Sequence, residues 1–317
     1  MNSRGDMANS SNCGLVVDRH VCKNAGTTVR TMFQRNRGAC QYIGYDVSQT
    51  WTSRVGFVHR NFAELVNELP HAQTRRWCVE AHVVAHSFWE DVVTLQRSEF
   101  AARCRVLVML RVREPFSWYR SFYDWAILPR QRGGDDRFGA NFTDWLPSNL
   151  QSSVLLSATS QRMAVQLARR PPDGEARTLG TVGWARLMRM VRTADIVAPL
   201  ELFDESLVML RRRSGFLSTA TYRMVHPPQM RGPWSKKPQR PVESAATLCA
   251  GAAAESHCRR AVRDVAPADV RLHATATKLF EAQLAPWLDD AGFRAELAQL
   301  RVRGSGDADE RTLPHKF

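Results

Sequence analysis

The residues best suited to chemistry are a lysine, an asparagine, two small residues and two threonines that follow one another near the N-terminus. They are Lys23, Asn24, Ala25, Gly26, Thr27 and Thr28. A small-residue loop that opens a helix offers backbone N–H groups to an anion, and a lysine and hydroxyl groups add charge and directed donors. The loop differs from the triphosphatase loop Gly-x-x-x-x-Gly-Lys-Ser/Thr because its lysine precedes its glycine. Taken alone, the hexapeptide fits a phosphate site and a purely structural loop equally well.

An arginine and a serine further along the chain have the spacing of a second phosphate site. Arg113 follows an apolar run, and Ser121 comes eight residues later in an aromatic-rich stretch with helical spacing. An arginine at a strand end and a serine near the start of the next helix can bind one phosphate together through charge-assisted and hydroxyl hydrogen bonds. Taken alone, this segment fits a solvated strand end followed by core aromatics better than it fits a phosphate site.

Short apolar runs separated by helical stretches must position both sites. Strands are predicted over 14–17, 77–84, 105–110 and 195–200, and helices over 27–35, from 116 onward and over 203–213. This alternation predicts an α/β fold with a central, mostly parallel sheet flanked by helices, in which ligands bind beyond the carboxyl ends of the strands. The expected organisation is a flexible N-terminus over 1–13, one domain over 14–300 and a polar tail over 301–317.

The composition is that of a basic globular protein. The 317 residues carry a formal net charge of +13, and 44% of them are hydrophobic. The charge suits a nucleotide, an acidic polysaccharide, a nucleic acid or a membrane surface without choosing among them. Residues 1–13 contain no apolar run long enough for a signal peptide or a membrane anchor, so we expect a soluble chain without a membrane span. The default compartment is the cytoplasm, or the Golgi lumen if an upstream anchor is missing.

The cysteines give no recognisable pattern. There are seven of them, an odd number, and no two have a Cys-x-x-Cys spacing, so neither a zinc site nor a disulfide scaffold is predicted. We expect ordinary free thiols. Cys249 and Cys258 are the one pair that an oxidising compartment could join.

Together, the two motifs resemble the sulfotransferases that use 3′-phosphoadenosine 5′-phosphosulfate (PAPS). The resemblance is strongest to the carbohydrate branch, which includes heparan sulfate 2-O-sulfotransferase and bacterial and algal relatives. The family's loop for the 5′-phosphosulfate is similar to His-x-Pro-Lys-Thr-Gly-Gly-Thr-Thr, and residues 20–28 read His-Val-Cys-Lys-Asn-Ala-Gly-Thr-Thr, with Cys22 in place of proline. Its 3′-phosphate motif is Leu-Arg-Asp-Pro with a serine eight residues after the arginine, which Arg113 and Ser121 match after a two-residue insertion. A further family arginine is replaced by Trp118.

Two weaker similarities extend the match along the chain. Asn149-Leu150-Gln151 resembles an Asn-x-Gln segment of the family, and 202–207 resembles its Glu-Arg-Phe-Asp-Glu-Ser-Leu segment. The resemblance implies a P-loop-NTPase-like three-layer sandwich and transfer of a sulfuryl group from PAPS to an acceptor hydroxyl, with a carbohydrate as the expected acceptor and without a required metal. Lys23 would neutralise charge on the leaving oxygens. No nucleic-acid partner is expected, and the oligomeric state is left open.

The reaction also needs a general base for the entering hydroxyl, and histidine or a buried carboxylate is the usual choice. The resemblance favours His86, because 85–88 is similar to a Gly-His-Phe segment that supplies the base in the carbohydrate branch. On a strand, Glu80, His82 and His86 would point to one face, so His82 and then Glu80 remain alternatives.

Two other functions stay open on the sequence. One is a P-loop-like nucleotide kinase, which the missing triphosphatase loop disfavours. The other is a non-catalytic basic protein that binds polyanions through its arginines.

Overall fold

A computed structural model describes residues 13–44, 75–81, 87–157, 161–169, 179–218 and 242–305. Five parallel strands form one sheet in the order β2-β3-β1-β4-β5. The strands are β1 (Gly14–Arg19), β2 (Gln41–Ile43), β3 (Arg76–Glu80), β4 (Arg105–Val112) and β5 (Ile196–Pro199). The predicted α/β fold with a central parallel sheet is confirmed.

The sheet is buried on both faces, as continuous apolar strands require. Every residue of β1 is buried, and its side chains alternate between two hydrophobic cores. Leu15 and Val17 belong to one core, and Val16 belongs to the other. Helices cover both faces, which makes three layers.

Helices flank the sheet in the described part of the chain. They are α1 (Gly26–Arg35), α2 (Phe88–Gln96), α3 (Glu99–Arg103), α4 (Pro115–Phe122), α5 (Leu128–Arg132), α6 (Phe142–Trp145), α7 (Leu150–Ser157), α8 (Gln161–Leu167), α9 (Thr181–Thr193), α10 (Phe203–Ser214), α11 (Ala245–Leu248), α12 (Ala252–Val265), α13 (Pro267–Leu288) and α14 (Ala291–Ser305). The helices expected at 27–35, after 116 and over 203–213 correspond to α1, α4 and α10. A π-helical turn, Tyr123–Ile127, follows α4.

The last helix extends past the expected end of the domain. Helix α14 continues to Ser305, five residues past the expected end of the domain at residue 300. Arg301, in that last segment, forms an ion pair with Glu205 of α10 at 2.5 Å. Residues 1–12 and 306–317 lie outside the described part of the chain.

The prediction of free thiols is wrong for Cys13, Cys40, Cys78 and Cys104, and the pair left open, Cys249 and Cys258, forms a disulfide. Disulfides join Cys13 to Cys104, Cys40 to Cys78 and Cys249 to Cys258, with Cα–Cα distances of 5.1, 5.8 and 6.0 Å. Cys22 alone is free, and it is buried. The first two pairs are 91 and 38 residues apart in sequence, and the sheet register brings them together. Gly14 pairs with Arg105, so the cysteines that precede these two residues face each other at the start of adjacent strands.

Within the described residues, no helix combines the length and hydropathy needed to cross a membrane.

Candidate functional site

The two motifs meet where the sheet reverses its winding. From β1 the chain passes to β2 and β3 on one side, and from β4 it passes to β5 on the other. Such a reversal opens a crevice beyond the carboxyl ends of the two central strands, where α/β proteins bind ligands. The Lys23 loop follows β1, and Arg113 follows β4. Two segments 90 residues apart therefore share one edge of the sheet.

Direct hydrogen bonds join the two motifs. The Nη1 atom of Arg113 donates to the carbonyl oxygen of Lys23 at 3.2 Å. The indole N–H of Trp118 donates to the carbonyl oxygen of Cys22 at 3.0 Å. Trp118 is fully buried and supports the loop from the protein interior.

The loop has a conformation that leaves the start of α1 open. Lys23 and Ala25 have positive φ angles of 67° and 56°. Ala25 is the N-cap residue, and it has no side chain that could accept from the first-turn N–H groups. The first turn also contains no acidic residue. Among the described residues, the backbone N–H groups of Gly26 and Thr27 have no acceptor, so they can serve a bound anion.

Gly26 is required by the packing of His20. A Cβ atom at position 26 would lie 2.0 Å from Cδ2 and Nε2 of the His20 ring. No larger residue fits without moving the histidine, which is itself buried. The glycine therefore lets the loop close over His20 at the start of α1.

Some predicted ligand residues of the loop point inward. Asn24 is fully buried, its side-chain amide donates to the Arg111 carbonyl at 2.7 Å, and its backbone N–H donates to Val21 at 3.1 Å. Both nitrogens of Asn24 thus donate within the protein, and a contact of Asn24 with a ligand stays a prediction. Thr28 is 8% exposed, and the side chain of Thr27 lies outside the described part.

The two cations of the site have carboxylate neighbours, Asp124 near Lys23 and Glu201 and Glu114 near Arg113. Burial lowers the pKa of Lys23, and the neighbouring charge of Arg113 lowers it further. Burial likewise lowers the pKa of Arg113, although Glu201 opposes the shift. In the described part of the chain, neither side chain forms an ion pair with a carboxylate. Two partly buried, mutually repelling cations favour an anion between them.

The structure separates the roles of the two arginines at the end of β4. Arg111 lies within the strand, fully buried, and its Nη2 atom binds both carboxylate oxygens of Asp18 at 2.6 and 2.7 Å. Arg113 lies past the strand and keeps its guanidinium near the loop. Its backbone is clamped by Gln151, which accepts from its N–H at 2.9 Å and donates to its carbonyl at 3.0 Å. The Asn149-Leu150-Gln151 segment thus holds the second motif in place.

Helix α4 presents a half-exposed polar face beside Arg113. Ser117, Arg120 and Ser121 lie on this face, while Tyr119 is fully buried. Glu114 caps the helix by accepting from the N–H groups of Phe116 and Ser117. Ser121 therefore lies on the helix that begins at Pro115, two residues after Arg113.

Of the three candidate bases, the structure describes only Glu80. His82 and His86 lie outside the described residues. The Glu80 carboxylate is fully buried and accepts from His20 at 2.5 Å, from Arg30 at 2.8 Å and from Tyr42 at 2.7 Å. Burial raises its pKa, but the hydrogen bonds from His20 and Arg30 outweigh burial and hold the pKa well below the usual carboxylate range. A saturated carboxylate of low pKa is a poor proton acceptor, so Glu80 does not fit the role of base.

The sequence did not reveal the Glu80 cluster or the Gln151 clamp. Arg30 and Tyr42 carry no motif, and their meeting with Glu80 depends on the packing of α1 and β2 against β3. Cys22 is also placed by the fold: burial raises the pKa of its thiol to about 11, so the thiol stays protonated at neutral pH.

Comparison with family models, with curated proteins and with solved structures finds no match for this chain.

Proposed function

We propose that the protein is a PAPS-dependent sulfotransferase of P-loop-like architecture, acting on an acceptor hydroxyl, with a glycan as the favoured acceptor class. One observation carries the proposal: Arg113 donates to the backbone of Lys23. The two motifs expected to hold the two phosphate-bearing ends of one nucleotide thus share a single crevice. The strand order, with an anion-binding loop after the central strand β1, supports the P-loop-like assignment.

The chemistry follows from the charges of the site. The acceptor oxygen attacks the sulfur, the bond from sulfur to the nucleotide phosphate oxygen breaks, and the hydroxyl proton passes to a base. Negative charge grows on the leaving phosphate oxygens, which Lys23 and the open N-terminus of α1 can stabilise. Arg113 and Ser121 hold the 3′-phosphate and fix the orientation of the donor.

The base in this proposal is a histidine. With Glu80 occupied by three donors, His86 and His82 remain, in the order that the resemblance gives them. Both come shortly after β3 in the sequence. A neutral imidazole can accept the proton near neutral pH.

We also propose that the protein works in an oxidising compartment. Three disulfides use six of seven cysteines, and such pairing is rare where thiols are kept reduced. This replaces the cytoplasm as the default compartment.

The test is transfer of radiolabelled sulfate from PAPS to a panel of neutral glycans, glycosaminoglycans, small alcohols and tyrosyl peptides. We expect label in at least one acceptor and a loss of about 100-fold or more in Lys23→Ala, the range for removing one electrostatic stabiliser. Arg35→Ala, at the far end of α1, is the matched control and should keep its activity. No labelled product with any acceptor would contradict the proposal, and phosphate transfer from ATP would favour a kinase.

A further inference from the structure

The polar face of α4 contains one cation that the proposed roles do not use. Arg120 is half-exposed and lies one residue before Ser121. Its guanidinium carbon lies 5.5 Å from the centroid of the Phe116 ring, one helical turn back toward Arg113. The side chain therefore lies back along the helix over the Phe116 ring.

Arg120 forms no ion pair in the described part of the chain, although it has one acidic neighbour. Its charge opposes the rise that burial causes in the pKa of Asp124, a carboxylate that already accepts from the Ala245 backbone N–H at 2.8 Å. The neighbouring Arg259 stacks on the same ring at 4.5 Å but is already paired with Glu114 at 3.3 Å and Glu255 at 2.7 Å. The charge of Arg120 also reaches Arg113, whose pKa it lowers. Two cations that repel each other across an open polar face form a favourable position for a doubly charged anion.

The position of Trp118 explains why a second guanidinium is needed from elsewhere on the helix. Trp118 is buried and donates to the Cys22 carbonyl, so it offers nothing to a ligand. Arg113 and Ser121 alone would leave one cation for a phosphate that carries up to two charges.

We propose that Arg120 is a donor-binding residue that, together with Arg113 and Ser121, binds the 3′-phosphate and makes the site select nucleotides with a phosphate at that position. This inference rests on the proposed function, because it concerns the donor of that reaction.

The test compares two ligands by calorimetry: adenosine 3′,5′-bisphosphate, and adenosine 5′-monophosphate, which lacks the 3′-phosphate. We expect Arg120→Ala to weaken bisphosphate binding about 10-fold or more, as for loss of a charge-assisted hydrogen bond, and to change monophosphate binding less than about 2-fold. Arg120→Lys should recover part of the loss. Arg259→Ala is the matched control, since it stacks on the same ring but is already paired, and it should change neither affinity.

The outcomes distinguish a failure of the proposed function from a failure of the role of Arg120. If the wild-type protein does not prefer the bisphosphate to the monophosphate, the proposed function fails. If it does and Arg120→Ala keeps that preference, the proposed function stands and the role of Arg120 is refuted. An equal loss of affinity for both ligands in Arg120→Ala would also refute this role, because Arg120 would then not discriminate ligands by their 3′-phosphate.

Discussion

Replacing Ala25 by glycine should stabilise this protein, although the same change destabilises an ordinary helix. Ala25 has a φ angle of 56°, in the left-handed region. An L-residue there costs about 1–2 kcal/mol, and glycine removes that cost while losing about 0.5–1 kcal/mol of backbone entropy on folding. The net gain should be about 0.5–1 kcal/mol.

The assay is urea unfolding at neutral pH with the disulfides intact. Ala298→Gly, at an exposed position inside α14, is the matched control and should lower the unfolding free energy by about 1 kcal/mol. The two variants carry the same chemical change and should move the midpoint in opposite directions. A loss of stability in Ala25→Gly as large as that in Ala298→Gly would refute the left-handed loop conformation.

Two further predictions concern the cluster around Glu80 and the cysteines. Glu80→Gln should lower the unfolding free energy at pH 7 by about 3 kcal/mol, because it leaves the partly buried Arg30 without its counter-charge. The folded-state pKa of Glu80 lies below its unfolded value, so the stabilisation by its carboxylate is present above about pH 4.3 and is lost as the pH falls. The difference in unfolding free energy between the variant and the wild type should therefore narrow below about pH 4. A gap that does not change with pH would contradict this account. For protein expressed in an oxidising compartment, thiol titration in denaturant should find one free thiol before reduction and seven after it, and seven before reduction would show that the disulfides do not form.

The sequence predicted the elements whose burial is continuous. The runs that became β1 and β4 are apolar along their whole length because both faces of the sheet are covered, and the loop and the arginine follow them directly. Strand β2 was missed because three residues at the sheet edge carry no periodicity. The placement of Lys23 near Arg113 could be expected from topology alone.

The features that could not be predicted from the sequence depend on contacts between distant segments of the chain. Cys13 and Cys104 pair because their strands are neighbours, which no spacing along the chain encodes. The strand position of Glu80 predicts a candidate base, and only the packing of Arg30 and Tyr42 against it shows that its carboxylate is saturated with hydrogen bonds. The inward turn of Asn24 likewise depends on the backbone of β4.

The central claim is that Lys23 and Arg113 form one site for the two phosphate-bearing ends of a single nucleotide. The most direct measurement is calorimetric titration with adenosine 3′,5′-bisphosphate, using ADP as the control nucleotide and Lys23→Ala and Arg113→Ala as variants. The account predicts micromolar binding of the bisphosphate, much weaker binding of ADP, and a loss in both variants. Binding should also weaken as the pH rises toward the lowered pKa of Lys23, since the anion favours the protonated amine. Equal binding of ADP, or unchanged binding in both variants, would contradict the claim.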